Sequence, residues 1–224
     1  MRAVDVLEGY TTGVFQSNCY VVAARRSEGA VVIDAGQDAN EVVLARLAEH
    51  GLRCEAVLLT HGHIDHVWSA AAISEASGAP AFIHPADRYM LDDPGAALGR
   101  LGMDSFDVAV PKDVRDIADG DVFDFGGVRI EARHTPGHTP GHCVFLTDGI
   151  VFSGDLIFAG SVGRTDFPRG SFEELIESIK RVILPLDDAT TIVSGHGPAT
   201  TVGAERATNP FILSEAAAPK PRGL

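Results

Sequence analysis

Within His61-Gly62-His63-Ile64-Asp65-His66, three imidazoles and a carboxylate crowd into six positions, directly behind the apolar run Val57-Leu58-Leu59. Imidazole nitrogen and carboxylate oxygen are the donors that borderline ions such as zinc favour. In an extended or turning segment, side chains two apart project to the same side, so His61 and His63 can converge on one point. Gly62 places no side chain between them and lets the backbone bend tightly. Asp65 and His66 follow a turn where the next helix opens, so they address a neighbouring position. A tetrahedral catalytic site with an open position takes about three protein ligands. The segment therefore supplies parts of two sites, and His138, Asp155 and His196 are the obvious remainder.

The other histidines carry weaker signals. His134 and His142 flank His138 and read as structural or as partners that orient a ligand. His84, in Ile-His-Pro, reads as structural, and His50 sits where a helix C-terminus favours a cation. Competing motifs fail. Gly160-Ser-Val-Gly163 lacks the Gly-Lys-Ser/Thr of a phosphate loop, and no Gly-x-Ser-x-Gly elbow occurs. Cys19, Cys54 and Cys143 form no Cys-x-x-Cys pair and have no local context for a nucleophile.

The elements that must hold these side chains alternate between strands and helices. Short strands are predicted over 20–24, 30–34, 56–60, 81–84 and 191–194, the second closing on the turn signal Asp34-Ala-Gly36. Asp38-Ala-Asn-Glu41 resembles a capping box that opens a helix through Glu49, with Gly51 to end it. A further helix is predicted from about Val67 to Ser77. Gly126-Gly127 and Asp148-Gly149 each join two strand-like runs as a hairpin. Ser171-Phe-Glu-Glu174 is a second capping box, followed by Leu175, Ile179, Val182 and Ile183 on one helical face. Between Asp92 and Val108 no periodicity is visible, and a mobile connection is expected. Nothing resembles an interdomain linker, so residues 1–215 read as one domain and 216–224 as a flexible tail.

Bulk properties narrow the partners. Acidic residues number 31 against 18 basic ones, a formal charge of −13, which repels phosphate backbones. Nucleic acid and anionic membrane are poor partners, although a local basic pocket for a small anion stays open. No uncharged apolar run is long enough to span a bilayer, and the first ten residues lack a signal-peptide pattern. Three cysteines without close pairing suit a reducing compartment. A cytoplasmic location is expected, and the oligomeric state is left open.

Taken in order, Thr60-His-Gly-His-Ile-Asp-His66, Thr135-Pro-Gly-His-Thr-Pro-Gly-His142, Ser153-Gly-Asp155 and Gly195-His-Gly-Pro198 resemble the metallo-β-lactamase superfamily over roughly residues 10–212. The resemblance implies an α/β (α+β) fold, a four-layer αββα sandwich of two mixed sheets flanked by helices, with the metal site at one edge of the sheets. It implies that His61, His63 and His138 hold a first ion, Asp65, His66 and His196 a second, and that Asp155 bridges them. Asp65, His66 and Asp155 are accordingly read as catalytic, and His142 as supporting the ligands.

Within that superfamily the chain is similar to the glyoxalase II group, on Phe158-Ala-Gly-Ser-Val-Gly-Arg-Thr-Asp-Phe-Pro-Arg-Gly170 and Glu205-Arg-Ala-Thr-Asn-Pro-Phe211. That similarity implies hydrolysis of a small-molecule hydroxyacyl thioester, such as an S-lactoyl thiol, by water acidified between two divalent ions. Zinc is the first expectation, with iron or manganese as options. Larger members carry a C-terminal helical domain that helps grip glutathione. This chain stops before such a domain, so the carrier thiol is left open. Arg164 stands near a cationic substrate-contacting residue of those enzymes, and both substrate-binding and structural roles are open. The rival is a persulfide dioxygenase, which resembles the chain at Gly163-Arg-Thr-Asp-Phe167 and would hold one iron through His61, His138 and Asp155. Such relatives have Cys where this chain has His142, which favours the hydrolase.

Overall fold

The computed structural model describes residues 4–24, 29–93, 108–125 and 127–217. Its first sheet runs β1 (Val6–Thr12), β2 (Ser17–Ala23), β3 (Gly29–Ile33), β4 (Arg53–Leu58), β5 (Ala81–Ile83) and β6 (Val114–Asp116), in that spatial order. β1 to β3 pair antiparallel, and β3 to β6 pair parallel. The parallel strands need crossovers, which α1 (Ala39–His50), α2 (Ile64–Val67), α3 (Ala70–Ser77) and α4 (Arg88–Asp92) help supply. β3, Gly-Ala-Val-Val-Ile, is buried along its whole length, as expected for a strand covered on both faces.

The second sheet contains β7 (Val122–Phe125), β8 (Val128–His134), β9 (Cys143–Thr147), β10 (Ile150–Gly154), β13 (Thr191–Ser194) and β14 (Thr200–Thr201), ordered β14-β13-β10-β9-β8-β7. β10 and β13 pair parallel, and the other neighbours antiparallel. A ribbon of β11 (Ile157–Phe158) and β12 (Ser161–Val162) stands beside it. The helices of this half are α5 (Phe172–Ser178), which continues as a π-type turn over Ile179–Ile183, α6 (Val202–Thr208) and α7 (Pro210–Ala217).

Three apolar layers hold these four layers together. Val22, Val31, Ile33 and Leu58 of the first sheet meet Ile130, Ala132, Phe145 and Phe152 of the second. Val32, Val57 and Leu59 face α1 and α3 through Val43, Leu47 and Ile73. Val144, Val151 and Ile192 face α5 and α6 through Leu175, Ile179, Ile183 and Val202. The fold is thus the expected αββα sandwich. Among the described residues, no helix is long and apolar enough to cross a membrane.

Several local expectations meet the structure differently. Asp38 adopts φ 63° and makes no capping bond through its side chain, so the predicted box at α1 does not form. The left-handed backbone leaves the helix to begin with Ala39 N–H donating to Gly36 O instead. Gly51, at φ 63°, does end that helix, and Ser171 Oγ does accept from Glu174 N–H. Asp148 and Gly149, at φ 37° and 76°, form the positive-φ turn that a two-residue hairpin requires. The helix predicted from about Val67 to Ser77 forms as α3, beginning three residues later at Ala70, with Ser69 N–H bonded to Ala35 O. The connection expected to be mobile lies, over 94–107, outside the described residues, as do 218–224 of the tail.

Candidate metal centre

All seven candidate ligands read from the sequence meet at one edge of the sandwich, in three overlapping groups. They are His61, His63 and His138; His61, His66 and Asp155; and Asp65, His66 and His196, with the donor atoms of each group within 4.8 Å of one another. Strand ends deliver them: His61 and His63 follow β4, Asp65 and His66 ride on α2, His138 follows β8, Asp155 follows β10 and His196 follows β13. Asp155 lies between the outer groups. Its Oδ1 is 3.4 Å from His66 Nε2, and its Oδ2 is 3.6 Å from both His138 Nε2 and His196 Nε2.

Hydrogen bonds set which nitrogen of His61, His66, His138 and His196 faces inward. The Thr60 hydroxyl donates to Asp34 Oδ2 at 2.8 Å, so it accepts from His61 Nδ1 at 2.9 Å and leaves the His61 Nε2 lone pair free. His66 Nδ1–H donates to the same Asp34 oxygen at 2.9 Å. His138 Nδ1–H donates to the Arg164 carbonyl at 2.7 Å. His196 Nδ1 faces Gln16 O at 3.2 Å, and its Nε2 meets Asp65 Oδ2 at 3.1 Å. Both His142 nitrogens are engaged: Nδ1 with Thr135 Oγ1 at 2.9 Å, and Nε2 accepting from Asp155 N–H at 3.1 Å. His142 thus pins the Asp155 backbone and has no lone pair to spare. His134 instead stacks on His84, centroids 4.1 Å apart, and bonds Pro140 O, outside the cluster.

The protein's residues fit cations here. His61 Nε2, His66 Nε2 and Asp155 Oδ1 are buried with no hydrogen-bond partner among the described residues. A buried polar atom left unpaired costs about 1–3 kcal/mol, and all three belong to one ligand group. The backbone also comes unusually close. A Cβ on Gly163 would lie 1.8 Å from Asp155 O, and one on Gly195 would lie 2.2 Å from Asp155 Oδ1. Imidazole and carboxylate donors suit zinc, iron or manganese better than calcium or magnesium, which prefer all-oxygen sites.

Charge follows the same plan. Burial, then the neighbouring imidazoles, push His61 and His63 well below the usual histidine range, so both rings are neutral donors at pH 7. His66 goes the other way: burial opposes its charge, but Asp65, Asp155 and Asp34 push it up to about 10. Held above 7, His66 would give up a proton if it were to bind a cation. Asp65, despite burial, is held below the usual carboxylate range by His66 and His196.

Sequence reasoning missed Asp34, whose carboxylate takes Thr60 N–H, Thr60 Oγ1 and His66 Nδ1 together. An acid closing a fully apolar strand is its signal in the sequence, although Asp34-Ala-Gly36 reads first as a turn. Gly62 serves differently from expectation. Its φ is not positive; it is glycine because a Cβ would meet Met90 Cβ at 2.8 Å and Asp87 O at 2.9 Å. Arg164 lines the cavity over the cluster, with its guanidinium paired to Asp166 at 2.7 and 2.8 Å and laid over the Phe167 ring. Its carbonyl, which orients His138, is a contact that residue type does not announce.

Comparison with known proteins agrees with this geometry. The model of the metallo-beta-lactamase superfamily matches residues 12–196. The hydroxyacylglutathione hydrolase GloC of Haemophilus influenzae is 37% identical over 204 residues, covering 90% of this chain and 95% of that protein. The crystal structure of the BLEG-1 B3 metallo-beta-lactamase superposes with a TM-score of 0.84 at 33% identity, covering 92% of this chain and 99% of that one. TTHA1623 in a di-iron-bound form superposes at 0.77 with 40% identity, covering 91% and 99%. The chain, by its fold, its clustered ligands and these matches, belongs to the metallo-beta-lactamase superfamily.

Proposed function

We propose that this metal-dependent hydrolase cleaves a small hydroxyacyl thioester, releasing a hydroxy acid and a thiol. The observation that carries the reading is the position of Asp155, whose carboxylate faces both His138 and His196 and so spans two ligand groups. Two divalent ions held there would polarise a carbonyl and lower the pKa of water toward neutrality. His61, His63 and His138 would hold one, and Asp65, His66 and His196 the other. The name of the Haemophilus relative, a hydroxyacylglutathione hydrolase, supports the substrate class.

The chain's own residues shape the rest. A cavity of about 390 Å³ opens over the cluster, walled by Phe15, Ile64, Phe158, Val162 and Phe167. Such walls exclude water from the reacting centre and take the apolar parts of a thioester. Asp65, whose Oδ2 lies 3.1 Å from His196 Nε2, brings a carboxylate to the second group. Its part is to hold charge and orient His196. Arg164 is the cation at the cavity, and its pairing with Asp166 must exchange for it to take a substrate carboxylate. For the ions themselves, zinc and iron both suit the donors, and the di-iron form of TTHA1623 makes iron as good a proposal as zinc.

The test is S-lactoyl-thioester hydrolysis by protein of measured metal content, run beside persulfide-dependent oxygen uptake. Thioester cleavage without oxygen consumption is expected. Oxygen uptake by protein holding one iron, with no cleavage, would replace the hydrolase reading with the oxygenase.

A further inference from the structure

Asp87 is fully buried, closes the short 3-10 turn Pro85–Asp87 after β5, and touches none of the seven candidate ligand side chains. Its carboxylate nevertheless joins both loops that carry the three-histidine group. Oδ2 accepts from Gly62 N–H at 3.2 Å, between His61 and His63, and from Thr139 Oγ1 at 2.5 Å, next to His138. Oδ1 accepts from Gly141 N–H at 2.6 Å, next to His142. The first of these loops extends from the first sheet and the second from the other, so a single carboxylate spans the sandwich at its metal edge. Glycine is required on both sides of it. A Cβ on Gly141 would lie 2.7 Å from Asp87 Cγ, and one on Gly62 would lie 2.9 Å from Asp87 O.

Three donors converge on this group, which calls for an acceptor-only side chain. An amide in its place would set an N–H against an N–H. The other ligand group is held by different means: His66 by Asp34, and His196 by Gln16 O and Asp65. No bond reaches from Asp87 to that group.

We propose that Asp87 is a positioning residue that sets the spacing of His61 and His63 against His138, and so governs the affinity of one of two ions without governing the other. This rests on the two-ion reading above. It assigns Asp87 no contact with substrate or ion; its effect passes through the backbone of the two loops.

Competition with a chromogenic zinc chelator tests it, with far-UV circular dichroism and thermal melting as controls for folding. His63→Ala and His196→Ala first mark which binding step belongs to which group. Asp87→Asn is expected to weaken the step that His63→Ala removes by about 10–100-fold, the usual reach of residues behind metal ligands, and to leave the other step within twofold. Thr139→Val, which removes one of the three donors, weakens the same step less and keeps the test alive should Asp87→Asn fail to fold. Equal weakening of both steps, or no change in either, overturns the proposal. Wild-type protein that binds two ions but cleaves no thioester would overturn the substrate reading alone, since the chelator experiment still reads the two steps.

Discussion

Asp155→Asn is expected to strip most of the bound metal and to lower turnover by about a thousandfold or more, while the fold persists. The substitution keeps shape and removes charge. Oδ1 has no partner among the described residues, and Oδ2 stands 3.6 Å from the facing nitrogens of both His138 and His196. A neutral amide there would put one oxygen, or an N–H, where anionic donors are needed. The stabilisation of transition-state charge that two ions supply, several kcal/mol, is lost with them. The backbone anchors survive, because His142 Nε2 bonds the Asp155 main chain and not its carboxylate. Metal content by plasma emission and kcat on the thioester read the effect, with circular dichroism for the fold. Near-normal activity at full metal occupancy would sink the two-ion assignment.

Gly195→Ala is expected to lower turnover by about a hundredfold through a single methyl group. Its Cβ would lie 2.2 Å from Asp155 Oδ1 and 2.7 Å from His66 Cε1. The backbone cannot retreat, since Gly195 N–H bonds Gly154 O at 2.8 Å and Gly195 O takes Asn18 N–H at 2.7 Å. The carboxylate must move instead, and a displacement near 1 Å at a reacting centre costs about a hundredfold in rate. Overpacking costs stability as well, by about 1–3 kcal/mol. Gly197→Ala supplies the contrast within the same loop. It meets no atom within 4 Å and pays only for its φ of +73°, so it is expected to lose some stability and keep its metal. Parallel thermal melts and metal titrations of the two variants separate the effects. Equal metal affinity in both would show that contact with Asp155 is not what makes Gly195 glycine.

The ligands were legible in the sequence because their signal is local. Four donors in six residues behind an apolar strand, and histidines flanked by Gly and Pro, can be read without knowing what they meet. The same holds for the hairpin at Asp148-Gly149 and for the buried face of Leu175, Ile179, Val182 and Ile183, whose periodicity the structure follows. What escaped is non-local. Asp34 reaches Thr60 across 26 residues, and Asp87 reaches Gly62 and Gly141 across 25 and 54. No spacing rule links such partners. β1 alternates half-buried and exposed positions after Val6 but contains Glu8 and Gly9, and the edge strand β6 is Val-Arg-Asp, so neither stands out as a strand. The capping box at Asp38 failed because the pattern says nothing of φ, and the tertiary setting places Asp38 at +63°. Residue type likewise hides what a carbonyl does, as with Arg164 O on His138.

Two ions, one for each outer group of donors with Asp155 between them, are expected at this edge. Anomalous difference maps from crystals of the protein prepared with zinc or with iron, recorded at the metal edge, test this most directly. Two peaks are expected, one among His61, His63 and His138 and one among Asp65, His66 and His196, with the Asp155 carboxylate between them. A single peak at full occupancy in saturating metal, with the other group of donors empty, would contradict it.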